Sequence, residues 1–136
     1  MKIHLKNNPM TPYLVYLSLM VLACSGAFVW QFCFPQLADS YSVWNRSAGW
    51  QREIALWNVG LIASIVYAIL KQSLCCLKLM TFQSAVLCWV LGLHHLYAFI
   101  THFPSWNVIH ALGVGEVLLL GGVGGSVVFI KYRKRC

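Results

Sequence analysis

Between Trp89 and Leu120 the sequence WVLGLHHLYAFITHFPSWNVIHALGVGEVLLL sets His94, His95, His102, Asn107, His110 and Glu116 among almost wholly apolar neighbours. Titratable groups are costly in such surroundings, so they pair with one another, hold a ligand or metal, or relay protons. Helix geometry limits which of these chemistries the spacing permits. His95 and His102 are seven apart and share a face with Cys88, whereas His94 points about 100° away. Asn107 and His110 share a face, and Glu116 lies about 120° round from His110. Two facing helices could hold haem b or a metal between His95 and His110. The HExxH and HxxEH spacings of zinc enzymes are absent. No CxxC pair exists among the six cysteines, and Cys24 and Cys88 fall inside apolar runs, where a thiol packs as a small hydrophobe.

The elements that position these groups follow from composition. Of 136 residues 60% are hydrophobic and only 10% charged, against about 25% charged in soluble domains. The net charge of +7 does not indicate nucleic acid, because the basic residues sit between apolar runs and form no basic face. Four uncharged or nearly uncharged runs cover 13–34, 54–70, 79–100 and 106–130. Each approaches the ~20 residues that cross a bilayer as a helix. The predicted fold is thus an all-α, four-transmembrane-helix bundle forming one domain over 1–136. Pro35 is expected to stop the first helix. Residues 36–53 form the longest polar connection, with Trp44 and Trp50 as interfacial anchors, and 71–78 and 101–105 are tight turns.

Basic residues set the orientation. Lys2, Lys6, Lys71, Lys78, Lys131, Arg133, Lys134 and Arg135 fall on one side, and only Arg46 and Arg52 on the other. Positive residues stay inside, so both termini are expected in the cytoplasm, in a bacterial inner membrane. Measured from Phe103 and Pro104, His110 then lies about 9 Å below the outer surface, His94 and His95 about 12–14 Å, and Glu116 about 18 Å. Gln51, Arg52, Glu53 and Asn107 lie at that surface, with Asn58 about one turn below it.

These depths predict an outward-facing polar pocket. It is lined by Gln51, Arg52, Glu53, Asn58, His94, His95, Asn107 and His110, with Glu116 at its floor. A lipid-like or quinone-like ligand, or an accessory role in a larger membrane complex, is the leading reading. A haem or metal redox site on His95 and His110, or a small proton-coupled carrier, is the alternative. No nucleophile motif or nucleotide-binding loop argues for an enzyme. Hydrogen bonding that merely holds the bundle together accounts for the same residues.

Gly113, Gly121 and Gly125 predict close helix packing within the bundle, since small residues let backbones approach in lipid. On the second predicted helix, polar and small residues fall on two stripes. Gln51, Asn58, Ile62 and Ile65 follow one, and Glu53, Trp57, Gly60 and Ser64 the other.

The stretch Gly49-Trp50-Gln51-Arg52-Glu53-Ile54-Ala55-Leu56-Trp57-Asn58-Val59-Gly60, together with Gly92, His94, His95 and Glu116, resembles a group of small bacterial four-helix membrane proteins, loosely DoxX-like. The resemblance covers about 49–116 and implies four spans of this length, with no particular activity.

Overall fold

A computed structural model describes residues 8–44, 47–102 and 108–132. Asn107, the 103–107 turn, Lys2, Lys6, Arg46 and the basic tail beyond Tyr132 lie outside the described residues. Helix α1 runs Thr11–Cys33, α2 Pro35–Ser40, α3 Ala48–Lys71 and α4 Leu74–Thr101. The last span comprises α5, Val108–Leu112, a π-helical segment, Gly113–Val123, and α6, Gly124–Lys131. All regular structure among the described residues is helical.

Four of these stretches are long and apolar enough to cross a membrane, at 23, 24, 28 and 24 residues. Their exposed faces carry Leu22, Trp57, Leu70, Leu120 and Ile130, side chains that suit lipid and not water. The chain is a four-helix integral membrane bundle.

Several boundaries differ from those the sequence predicts. Pro35 ends α1 and also opens α2, because a residue without an N–H costs nothing at the first helical position. Helix α3 begins six residues before the predicted Ile54, at Ala48. No proline interrupts 49–53, so Gln51, Arg52 and Glu53 belong to the helix and Asn58 sits almost three turns inside it. The 71–78 turn contracts to Gln72 and Ser73. Gln72 takes a left-handed conformation, φ 47°, and its N–H caps the Ile69 carbonyl at 3.2 Å. Cys75, Cys76 and Lys78 are then helical.

The bundle is two antiparallel hairpins, α1 with α3 and α4 with the last span. Helices α1 and α4 touch at the centre, so α3 and the last span occupy opposite corners. Tyr13, Leu17, Ile65 and Leu77 are fully buried between them. Tyr13 donates its hydroxyl to the Tyr132 carbonyl at 2.9 Å, which puts both chain ends at one end of the bundle. The start of α3 and the end of α4 lie at the other, loop end.

The seam between α4 and the last span is the tightest contact. A Cβ on Gly121 would lie 2.5 Å from the Cys88 sulfur, and one on Gly125 2.5 Å from the Tyr16 hydroxyl. A Cβ on Gly92 would meet the Leu118 backbone at 2.6 Å, and one on Gly113 would enter the His95 ring. The pairs 92/118, 88/121 and 85/125 form one antiparallel register. Tyr16 also donates to the Gly121 carbonyl at 2.9 Å, so α1 locks onto the seam.

Candidate functional site

At the loop end, α4 presents His95 one and a half turns before its last residue, and α5 presents His110 in its first turn. The two Nδ1 atoms are 3.2 Å apart. Gly113 makes this possible, since the His95 ring occupies the space its side chain would fill. His110 is fully buried. Its Nε2 accepts the Val43 backbone N–H at 3.2 Å.

That bond assigns the protons. A nitrogen accepting from an N–H holds its lone pair, so neutral His110 carries its proton on Nδ1. Nδ1 of His110 therefore donates to Nδ1 of His95. Neutral His95 must then carry its own proton on Nε2. The relay runs Val43 N–H to His110 to His95 and ends on an N–H with no hydrogen bond among the described residues.

Trp44, next to Val43, closes the cluster. Its ring centroid lies 4.7 Å from that of His94, 4.9 Å from His95 and 4.6 Å from His110. It stacks on His94 with 19° between planes and meets His110 edge-on at 67°. Adjacent histidines diverge by about 100° on a helix, yet one indole spans both. Trp44, expected from the sequence as an interfacial anchor, is half-exposed and packs its ring over three imidazoles. Sequence reasoning missed it because it lies 50 residues before His94, in a polar connection with no periodicity to mark its direction.

The remaining predicted site residues do not join this cluster. Gln51 donates its amide to the Asp39 carboxylate, tying α2 to the first turns of α3. Arg52 and Glu53 are exposed, and Asn58 is half-buried. Glu116 is exposed on the last span, with no hydrogen bond or ion pair among the described residues, and is not the floor of a pocket. The 100° step already turns it about 120° from buried His110; its expected place at the floor rests on depth alone, and depth does not fix which way a side chain faces. The described polar residues thus separate into a cluster at His94, His95 and His110 and several isolated positions. A shallow apolar groove of about 490 Å³ does exist, along Ser25, Gly26, Val29, Trp30, Phe34 and Leu37, but no predicted site residue lines it.

The cluster does not fit haem or a metal. A macrocycle has to lie between its two axial nitrogens, and a 3.2 Å hydrogen-bonded contact leaves it no room. A metal on Nδ1 of His110 would move that ring's proton to Nε2, directly opposing the Val43 N–H. Among the described residues no group of three or more His, Cys, Asp or Glu is gathered to hold a metal. The arrangement can instead orient rings, offer aromatic faces and donate one hydrogen bond.

No protein-family model, curated protein or solved structure matches the chain.

Proposed function

We propose that this is a small membrane protein with a binding or accessory role, whose histidine–tryptophan cluster receives the head of a quinone-like or lipid-like molecule. One observation carries the reading: the relay from Val43 through His110 orients His95 and leaves its Nε2–H as a fixed donor. A quinone or ester carbonyl is the complementary acceptor, and the rings of His94 and Trp44 offer flat faces to a planar head. Small-molecule sites commonly combine apolar and aromatic walls with a few such placed polar groups.

The basic-residue asymmetry supports a bacterial inner-membrane location with the cluster outside and both termini in the cytoplasm. A reporter fused to the C-terminus and active only in the cytoplasm checks this; activity of a periplasmic reporter there would reverse it. The DoxX-like resemblance accords with four spans of this length and adds no ligand.

The test of binding is titration of the purified protein in nanodiscs with a short-chain benzoquinone, and separately with anionic lipid, while following thermal unfolding. A rise in melting temperature that disappears in His95→Ala and persists in Glu116→Gln is expected. No rise with either probe, or a rise that survives His95→Ala, would overturn the reading.

A further inference from the structure

The segment Ser42–Trp44, which covers the histidine cluster, is tied to the membrane spans by a single hydrogen bond among the described residues. Ser42 donates its N–H to the Asp39 carbonyl at 3.2 Å, and Trp44 donates its N–H to the Ser42 hydroxyl at 3.0 Å. Both bonds stay within the connection. Only the Val43 N–H reaches a span, at Nε2 of His110. The next residue is Trp44, whose ring packs over His94, His95 and His110.

That bond fixes how many protons the two rings can hold. Val43 donates to His110 and His110 to His95, so two neutral rings carry two protons and every nitrogen in the chain has one role. A third proton has no place there. On Nε2 of His110 it opposes the Val43 N–H. On Nδ1 of His95 it opposes Nδ1–H of His110, whose proton can then move only to Nε2, again against Val43. The described surroundings place no anion beside the added charge. From α4, His94 and His102 act on His110, and both are bases. The π-helical segment, also packed against α5, brings Glu116, which is exposed and about 120° round from His110. Residues 42–44 carry no titratable side chain, and Asp39 before them is bound by Gln51.

We infer that His110 and His95 form a proton-operated latch: holding two protons they keep the 42–44 segment docked, and a third proton releases Val43 and lifts Trp44 from the rings. This is regulation of the head-group site proposed above and rests on that reading for its consequence, since release also leaves the His95 donor without a fixed orientation. The latch itself needs no ligand. Release takes up one proton, so the docked segment is stable at alkaline pH and is lost as pH falls. His94 is not the trigger. A proton there adds a cation–π contact to its stack on the indole and holds Trp44 more tightly.

The experiment follows fluorotryptophan-labelled full-length protein in phosphatidylcholine nanodiscs by fluorine NMR, without ligand, from about pH 8 to about pH 4.5, a range that spans ordinary imidazole titration. Trp44→Phe identifies the Trp44 resonance, and His110→Ala at the alkaline end gives its undocked position. In wild type the resonance should move from docked to undocked as acid is added, with the slope of one proton. The Val43 amide proton, observed with isotopically labelled valine, should move at the same midpoint. His110→Gln, whose side-chain carbonyl can accept from Val43 and takes up no proton, should stay docked throughout. His94→Gln should release at higher pH than wild type, because it removes both a base that repels the third proton and the stack on the indole. A wild-type Trp44 resonance unmoved by acid, or an equal transition in His110→Gln, would overturn the inference. Should His110→Gln be undocked even at alkaline pH, the wild-type amide decides: movement with Trp44 supports the latch, and a fixed Val43 amide overturns it. A latch that works in protein showing no benzoquinone-dependent rise in melting would sink the binding reading alone.

Discussion

The α4–last-span seam and the outer face of α3 are built from the same kinds of residue and behave in opposite ways. Both carry glycines, hydroxyls and aromatic N–H groups. In the seam these are consumed internally: Gly92, Gly121 and Gly125 are filled by Leu118, Cys88 and Tyr16, and Trp89 donates to the Ser126 hydroxyl at 3.0 Å. On α3, Gly60 faces open space, and the helix buries only Ala55, Ile65 and Ala68. A glycine in a membrane helix therefore has no fixed meaning. What lies opposite it decides whether it is a packing requirement or a free surface.

The sharpest way to break this contrast is to add bulk on each side. Gly125→Leu should destabilise the bundle by about 1–3 kcal/mol or more, because overpacking a filled interface forces backbone shifts. Neither Tyr16 nor Ala85 can retreat without disturbing the centre of the bundle. Gly60→Leu on α3, where nothing lies within 4 Å, should leave stability in detergent unchanged. Reversible unfolding in mixed SDS micelles measures both. Equal effects would show that the seam is no tighter than the lipid-facing surface.

A second intervention separates the two ends of the seam. His110→Ala removes both bonds of the relay and leaves the Val43 N–H without its acceptor, at a cost of about 1–3 kcal/mol. His94→Ala removes only a stacked ring and should cost less, about 0.5–1.5 kcal/mol. Emission of Trp44, isolated by replacing the other tryptophans with Phe, should shift to the red in His110→Ala as the indole loses its cover. If His94→Ala proved the more damaging, the hydrogen-bonded relay would not be what orders the cluster.

How much of this was legible follows from what each signal depends on. Hydropathy runs and the spacing of basic residues mark the four spans because they reflect each residue's own preference for lipid or water. The stripe holding Gln51, Asn58, Ile62 and Ile65 does face the bundle, and the stripe holding Glu53, Trp57, Gly60 and Ser64 does face out, because α3 is a regular helix. The same angular step turns Glu116 about 120° from His110, and it is exposed where His110 is buried; its place at a pocket floor rests on depth alone. Trp44 and Asp39 do defeat such reasoning: they reach His94, His95, His110 and Gln51 by tertiary folding of residues 35–44, which periodicity does not encode. Depth arithmetic placed Gln51–Asn58 near the histidines, but it knows height and not azimuth.

The smallest effect probes how α1 holds the seam. Tyr16→Phe keeps the ring against Gly125 and removes only the hydroxyl that donates to the Gly121 carbonyl. Interhelical bonds of this kind average about 0.6 kcal/mol, so the single change should be modest. Its value lies in a double-mutant cycle with Gly125→Ala. The new Cβ would meet the Tyr16 hydroxyl oxygen at 2.5 Å, and the ring carbon bearing it and the Ala85 Cβ at 2.7 and 2.9 Å. Deleting the hydroxyl relieves the first of these contacts and not the other two. The pair should therefore destabilise by less than the sum of the single changes, with a coupling energy of about 0.5 kcal/mol or more, as contacting residues show. Strict additivity would mean that the clash is borne by Ala85 and the ring, and that the hydroxyl serves the Gly121 carbonyl alone.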